Sequence, residues 1–279
     1  MGSLVAAVGS WLDARAQGGE WRVRIEDVDR AREVPGAADE ILATLERFGL
    51  AWDGPVLRQS DRGSLYQAAF ARLEAAGLVY PCSCSRAELE PGSGGETRYP
   101  GTCRAGPRRS GAALSYRLRT DGVPPVTVED RIQGALTQDV GAVVGDFGLR
   151  RRDGFWSYQL AVVIDDADQG ITDVVRGLDL WDNTPRQRLL QACLKVPALR
   201  YLHLPLVVQP DGAKLSKSRA ALPADSAAAP LVLSGVLGLL RHPVGRELHG
   251  APVEEQLSWA ARHLNIDLLQ GLTRVLPPA

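Results

Sequence analysis

The chain of 279 residues has no long apolar run. No uncharged stretch approaches the roughly eighteen residues that a membrane-spanning helix needs, so the sequence predicts no membrane span. It has no strong excess of either charge, because 32 lysines and arginines face 33 acidic residues, for a formal net charge of −1. That balance excludes a strongly basic nucleic-acid binder, although a local basic patch is still possible. The first residues contain Asp13 and Arg15 and no basic leader, so they do not predict a secretory signal. Together these absences favour a globular cytoplasmic protein.

Cysteine and histidine are scarce, with four of each. Cys82, Cys84 and Cys103 nevertheless fall within 22 residues, and without a secretory signal this cluster favours a metal site over a disulfide. Structural zinc takes four tetrahedral ligands, and no histidine lies near the cluster. Spacing alone leaves the fourth ligand open between a water and a remote residue. Three reduced thiols without a metal are the alternative, and Cys193 is predicted to be a small buried hydrophobe.

Apolar residues recur at helical and strand spacings along most of the chain. The patterns predict helices at 4–17, 36–49, 60–77, 154–170 and from 184, and strands at 20–29, 171–177 and 203–208. Thr184 is predicted to cap a helix that has Pro185 at its first position. Strands that alternate with helices favour an α/β fold with a Rossmann-type parallel sheet.

Residues 80 to about 145 differ from the rest, because glycine, proline and arginine increase and only short alternating runs occur. We predict a small inserted β-rich subdomain here, organised in part by zinc. The predicted division is 1–79, first half of the Rossmann-type domain; 80–145, insertion; 146–222, second half; and 223–279, helical C-terminal region. In a parallel sheet ligands bind beyond the carboxyl ends of the strands, where Glu26 and Arg176 are expected.

Arginines are frequent in and after the predicted insertion. They are predicted to give it a basic face that could contact RNA phosphates, and a solvated surface is the alternative. The residues are Arg98, Arg104, Arg108, Arg109, Arg117, Arg119 and Arg150 to Arg152.

The segment "AKLSKS" holds Lys214 and Lys217 after a Pro-Asp-Gly turn. Lysine ammonium groups at a loop can offset the charge that develops on a phosphate during transfer. A solvated basic turn is the simpler interpretation, and the segment alone does not decide between them.

Six segments taken in order carry a resemblance to a known family. They are "RVRIEDVDR", "YPCSCSR", "YPGTCR", "WSYQLAVVIDDADQGITDVVRGLDL", "NTPRQ" and "AKLSKS". Together they resemble the catalytic domain of class I glutamyl-tRNA synthetases, and most of all its short paralogues, the glutamyl-queuosine tRNA(Asp) synthetases. The likeness implies an ATP-dependent ligase that uses Mg²⁺. This enzyme would activate glutamate and transfer the glutamyl group to queuosine in the anticodon of tRNA(Asp).

The resemblance also implies which residues bind the substrates. Glu26, Tyr158 and Arg176 fall at glutamate-binding positions, and their chemistry agrees: an acid suits the ammonium group, while arginine and tyrosine suit carboxylates. The alternatives are that Glu26 only pairs with Arg22 or Arg24, and that Tyr158 is a core residue.

The remaining assignments concern ATP and zinc. The resemblance implies that Lys217, with Lys214 secondary, closes on the ATP phosphates. Gly2 and Ser3 match the end of the family's HIGH-like signature, which also binds ATP. Tyr99 falls at the fourth zinc position beside the three cysteines. Asp165 and Asp166 are expected to be structural or near the nucleotide, and no chemistry is assigned to them.

The family pattern begins with a further strand and a signature histidine, neither of which has a counterpart before Gly2. The sequence therefore predicts a start upstream of Met1, with a shortened non-catalytic protein as the alternative. Two rival functions stay open. One is a true glutamyl-tRNA synthetase, which normally carries a long helical anticodon-binding region after the lysine loop. The other is a zinc-stabilised RNA-binding protein without catalysis. We expect a monomer.

Overall fold

The computed structural model describes residues 1–29, 33–91, 97–209 and 228–276. The helices are α1 (Gly2–Ala16), α2 (Ala37–Arg47), α3 (Gly63–Ala75), α4 (Val140–Val143), α5 (Tyr158–Asp168), α6 (Thr184–Leu194), α7 (Ala229–Leu239) and α8 (Val253–Arg262). The strands are β1 (Arg24–Ile25), β2 (Leu57–Arg58), β3 (Val79–Cys82), β4 (Glu90–Pro91), β5 (Thr97–Arg98), β6 (Ser115–Leu118), β7 (Val126–Asp130), β8 (Gly134–Gln138), β9 (Gly148–Arg150), β10 (Asp173–Gly177), β11 (Arg200–Leu204), β12 (Leu206–Val207) and β13 (Arg274–Val275). Within these ranges, no helix is long and apolar enough to cross a bilayer.

The central sheet has the strand order β10-β11-β7-β8. Strands β10 and β11 are parallel over their full length, from Asp173 opposite Arg200 to Gly177 opposite Leu204. Strand β7 is parallel to β11, and β8 returns antiparallel to β7. The predicted α/β class is therefore confirmed, but the sheet is mixed because β8 closes a hairpin at its edge.

A second parallel pair, β1 and β2, lies apart from the central sheet. A groove of about 640 Å³ separates β1 from β10, and its walls carry charges of both signs, including Asp13, Arg24, Glu26 and Asp173. The further strand that the resemblance implies stays a prediction.

Two apolar cores stabilise the sheets. In the first, α1, α7 and α8 pack with β11 and β12 around residues such as Val8 and Leu233. In the second, α3, α5 and α6 pack together around Phe70 and Leu160. Helix α5 is buried from Leu160 to Asp166, so its strongly apolar sequence reflects burial on most of its faces.

The structure corrects the predicted starts of α5 and α6. Helix α5 begins at Tyr158 rather than 154, because the Ser157 side chain accepts a hydrogen bond from the Leu160 amide and caps it there. The prediction that Thr184 caps α6 is wrong. Asn183 precedes the helix and Thr184 is its first residue, so the Thr184 hydroxyl is free for another partner.

The predicted insertion contains strands of three different sheets, one of which is the two-stranded sheet of β4 and β5. Strands β3, β6 and β9 form an antiparallel sheet, whereas β7 and β8 pair with the central sheet. The division at 79/80 and 145/146 stays a prediction, although strand pairing crosses the second boundary. Near the C-terminal end of the described chain, β13 pairs with β12, so that region is not purely helical.

Candidate active site and metal centre

Arg176 lies at the carboxyl end of β10 and is only 9% exposed. Its Nε donates to His203 Nε2 at 3.0 Å, and its Nη2 donates to Thr184 Oγ1 at 2.9 Å. Its Nη1 lies 3.4 Å from the Tyr158 hydroxyl oxygen. The guanidinium thus has partners on β11, α6 and α5, which hold its plane in one orientation.

Glu26 follows β1 and faces the same region. Its Oε1 accepts from Arg24 Nη2 at 3.2 Å, while Arg24 also donates to Asp166 Oδ1 at 2.9 Å. The pairing with Arg24 therefore exists, yet the Glu26 side chain stays 40% exposed and keeps acceptor positions for a ligand. Its charge also acts on Tyr158: burial raises the pKa of the Tyr158 hydroxyl, Arg176 opposes this effect and Glu26 adds to it. Tyr158 and Arg176 are thus in contact, and Glu26 lies near enough for its charge to act on the Tyr158 hydroxyl.

The N-terminal end of α1 lies toward the carboxyl ends of the parallel strands of the central sheet, where Arg176 is found. A Cβ on Gly9 would lie 2.5 Å from Leu204 Cδ1, at the end of β11, whereas Asp13 accepts from Arg131 near the beginning of β11. Helix α1 therefore runs antiparallel to β11. Gly2 and Ser3, both exposed, begin the helix beyond the carboxyl ends of the strands, where its unpaired amides suit an anion. Lys214 and Lys217 lie outside the described residues.

Three thiols and one hydroxyl converge inside the antiparallel sheet region. The Sγ atoms of Cys82, Cys84 and Cys103 lie within 4.8 Å of one another, and all three residues are buried. The Tyr99 oxygen lies 3.2 Å from Cys82 Sγ and 3.5 Å from Cys84 Sγ. Tetrahedral zinc, with Zn–S near 2.3 Å and Zn–O near 2.0 Å, needs S–S and S–O separations of about 3.8 and 3.5 Å. The donor set and its spacing could therefore hold a metal ion.

The groups around the cluster favour the thiolate form of one of the three cysteines, Cys103. Burial alone raises the pKa of the Cys103 thiol, but hydrogen bonds from Tyr99 and from the backbone amides of Ser83 and Arg108 bring it down to about 6. The pKa of the Tyr99 hydroxyl is raised, first by burial and then by the neighbouring thiols. A bound cation would oppose that rise, since it favours the charged form of every ligand.

Two of the arginines predicted to face RNA contact residues of this cluster. The Arg117 guanidinium carbon lies 3.9 Å from the Tyr99 ring centroid, and Arg152 Nη2 donates to the carbonyls of Ser83 and Cys84. These cations can offset the negative charge of a thiolate at Cys103. The proposed basic RNA face stays a prediction, but these two guanidiniums already have partners inside the protein.

Asp146 connects the strands around the cluster and was not foreseen from the sequence. It is fully buried and accepts two hydrogen bonds from Arg104, at 2.6 and 2.7 Å, next to Cys103. It also accepts from the amide and hydroxyl of Thr120, at 2.8 and 2.7 Å, and from the Tyr80 hydroxyl. The lone signal in the sequence was an aspartate between apolar residues in "VVGDFGL".

The adjacent aspartates of α5 differ in role. Asp165 is fully buried and accepts from Gln59, Arg62 and Tyr66 at 2.7 to 2.8 Å, which ties α3 to α5. Asp166 instead faces Arg24 at the site, and burial raises the pKa of its carboxyl group. This agrees with the expectation that Asp165 is structural.

Residues 1–228 match the family described as tRNA synthetases class I (E and Q), catalytic domain. The fold and the site therefore define a ligase of the class I aminoacyl-tRNA synthetase type. The chain is 54% identical over 267 residues to a glutamyl-Q tRNA(Asp) synthetase from Pseudomonas aeruginosa (strain LESB58). The alignment covers 94% of this chain and 88% of the relative. It is 50% identical over 285 residues to a glutamyl-Q tRNA(Asp) synthetase from Dechloromonas aromatica (strain RCB). That alignment covers 100% of this chain and 94% of the relative. The chain belongs to the glutamyl-Q tRNA(Asp) synthetase family.

Two solved structures share the fold. A glutamate tRNA ligase from Elizabethkingia meningosepticum in complex with its amino acid superposes with a TM-score of 0.78 at 22% identity, and covers 98% of this chain. A glutamate-tRNA synthetase from Elizabethkingia anophelis gives 0.78 at 21% identity. At this identity the likeness is one of fold. The chain spans 64% and 65% of the lengths of these two proteins.

The Asp146 network predicts a pH-dependent loss of stability. Burial raises the pKa of this carboxyl group, but the hydrogen bonds from Arg104, Tyr80 and Thr120 outweigh burial and hold it below its ordinary value. A lowered folded-state pKa stabilises the protein above the unfolded-state pKa near 3.9, and this contribution is lost as pH falls through the folded-state pKa. Asp146→Asn should therefore lower the free energy of unfolding by about 3 kcal/mol at pH 7.

Urea unfolding at constant metal content measures this difference across pH. The gap between wild type and Asp146→Asn should shrink below about pH 4, where the carboxylate of the unfolded wild-type chain begins to protonate, and should be lost as pH falls through the lower folded-state pKa. Asp121→Asn is the matched control, because Asp121 also pairs with Arg104, at 3.5 Å, but is 46% exposed. Equal, pH-independent effects of both substitutions would contradict the assignment.

Proposed function

We propose that this ligase activates glutamate with ATP and Mg²⁺ and transfers the glutamyl group to queuosine in the anticodon of tRNA(Asp). A glutamate carboxylate oxygen would attack the α-phosphorus of ATP, and pyrophosphate would leave. A queuosine hydroxyl would then attack the carbonyl carbon of the adenylate, with AMP as the leaving group. The family's curated names, glutamyl-Q tRNA(Asp) synthetase, support this acceptor and amino acid.

The observation that carries the proposal is the contact of Arg176, at the carboxyl end of β10, with Tyr158 on α5, while Glu26 follows β1 nearby. Glutamate has two carboxylates and one ammonium group. The Arg176 guanidinium and the Tyr158 hydroxyl, 3.4 Å apart, together offer donors for a carboxylate. The exposed Glu26 carboxylate, with its Oε1 on Arg24 at 3.2 Å, offers acceptors for the ammonium group.

The nucleotide would lie at the same edge of the sheet. Gly2 and Ser3 begin a helix there, and its amides and dipole favour a phosphate. Lys217, with Lys214 secondary, would close over the phosphates from the segment similar to the family's KMSKS signature. The reaction needs little acid or base catalysis, because ATP brings its own leaving group. The residues would act by orientation and charge stabilisation.

The metal in the proposal is one structural zinc ion per chain, held by Cys82, Cys84, Cys103 and Tyr99. All four positions are filled by protein atoms, which is typical of a structural site rather than a catalytic one. When bound, the ion would cross-link the segment that carries Cys82 and Cys84 to the segment that carries Tyr99 and Cys103, which share one small buried cluster. A cytoplasmic monomer stays our expectation.

Glutamate transfer tests the proposal against its rivals. With labelled glutamate, ATP and Mg²⁺, the purified chain should label tRNA(Asp) that carries queuosine and leave unlabelled tRNA(Asp) that lacks it. Glu26→Gln should lower the rate by roughly tenfold or more, since it removes a charged partner of the ammonium group. Glu20→Gln is the control, because Glu20 is 64% exposed and pairs with Arg22.

The rival functions give different results in the same assay. Labelling of tRNA(Glu) instead would identify a glutamyl-tRNA synthetase. No labelling of any tRNA, with no glutamate-dependent pyrophosphate exchange, would support a non-catalytic RNA-binding protein.

Elemental analysis tests the metal. Protein purified without chelator should contain about one zinc per chain, and Tyr99→Phe should release it to a chelator roughly tenfold faster or more, since one ligand is lost. Tyr116→Phe is the control in neighbouring β6, opposite Pro81. Stoichiometry near zero, with all three thiols freely reactive, would refute the site.

A further inference from the structure

A buried chain of hydrogen bonds leads from Arg176 to Asp130 through His203. Neither His203 nor the Asp130 carboxylate is exposed to solvent. His203 Nδ1 lies 2.7 Å from Asp130 Oδ2, which also accepts from the His203 amide at 3.0 Å. The other oxygen of Asp130 accepts from the amides of Ile132 and Gln133 at 3.0 and 2.9 Å. The carboxylate is therefore fixed on both oxygens.

The donors and acceptors at each end decide the state of the imidazole. Arg176 Nε can only donate, so His203 Nε2 must accept the hydrogen bond of 3.0 Å between them. The Asp130 carboxylate can only accept, so the proton must lie on Nδ1. A second proton on Nε2 would remove the acceptor and place two cations in contact.

The elements packed around His203 favour the same neutral state. The Trp181 ring meets the imidazole edge-on at 4.8 Å, and the Tyr201 ring stacks at 5.9 Å. Burial lowers the pKa of His203, the Asp130 carboxylate opposes this, and the Arg176 charge lowers the pKa further, while Asp179 acts weakly in the opposite direction. The net direction is down, so the imidazole is neutral near pH 7.

We propose that His203 is a positioning residue that, anchored by Asp130, fixes the Arg176 guanidinium in the orientation that recognises a carboxylate of the amino-acid substrate. The Arg176 Nε donates to His203, and the Arg176 Nη2 donates to Thr184 at 2.9 Å. The Nη1 group, next to Tyr158, is therefore the part of the guanidinium that can bind a ligand. The inference rests on the proposed glutamate site and deepens it, because it names what orients the arginine there.

Two substitutions distinguish the role of the His203 Nε2 acceptor from the role of the rest of the histidine side chain. In His203→Asn the amide can still donate to Asp130 but no longer reaches Arg176. In His203→Gln a side-chain oxygen can take the place of Nε2. Glutamate should bind about 10- to 100-fold more weakly to His203→Asn, as expected for a lost buried hydrogen bond to a charged group. His203→Gln should recover at least part of the affinity, and ATP affinity should be unchanged in both.

A second measurement follows Arg176 directly. In protein labelled with ¹⁵N-arginine, the Arg176 Nε–H signal, assigned by its loss in Arg176→Lys, should exchange slowly with solvent in wild type and in His203→Gln. In His203→Asn it should exchange at least about tenfold faster, because the hydrogen bond that protects it is gone.

The outcomes separate this inference from the proposed function. Unchanged exchange and unchanged glutamate affinity in His203→Asn would overturn the positioning role. So would equal losses of glutamate and ATP binding in both variants with a lower melting temperature, since that pattern marks a purely structural residue. If wild type binds no glutamate, the proposed function fails, and the exchange rates alone decide whether His203 positions Arg176.

Discussion

Arg176 is nine-tenths buried, and a buried cation must find acceptors or neutral partners at fixed positions. It meets this requirement through His203, Thr184 and Tyr158. Arg176 and His203 are opposite each other in the parallel register of β10 and β11, so the pairing of these strands determines whether the hydrogen bond can form. The site and the sheet therefore depend on the same register.

The same constraint organises the two regions around the site. Asp165 is satisfied by Gln59, Arg62 and Tyr66, which join α3 to α5. Asp146 is satisfied by Arg104, Tyr80 and Thr120 and orders the strands that carry the cysteine cluster. A buried carboxylate whose two oxygens both accept hydrogen bonds is costly to disrupt, because removing one partner leaves a charge uncompensated. These networks fix the packing of α3 against α5 and of the strands around the cysteine cluster.

Periodicity and the family resemblance predicted much of this arrangement. They predicted the helices that pack on the sheets, the cysteine cluster with Tyr99, and the proximity of Tyr158 and Arg176. They could not give contacts that depend on strand register between distant segments. Asp130 and His203 are 73 residues apart, and a histidine in the apolar pattern "HLPLVV" is typical of a buried strand. Thr184 was expected as a cap, since capping is a local rule, whereas its bond to Arg176 is a tertiary one. The lysine loop lies outside the described residues and stays a prediction.

Calorimetric titration of glutamate against Arg176→Lys tests the central claim most directly. Lysine keeps the positive charge but loses the planar fork that His203 and Thr184 orient. The account predicts that glutamate binds weaker by about 1–3 kcal/mol, while ATP affinity and zinc content are unchanged. Equal losses for glutamate and ATP, or no loss for glutamate, would contradict it.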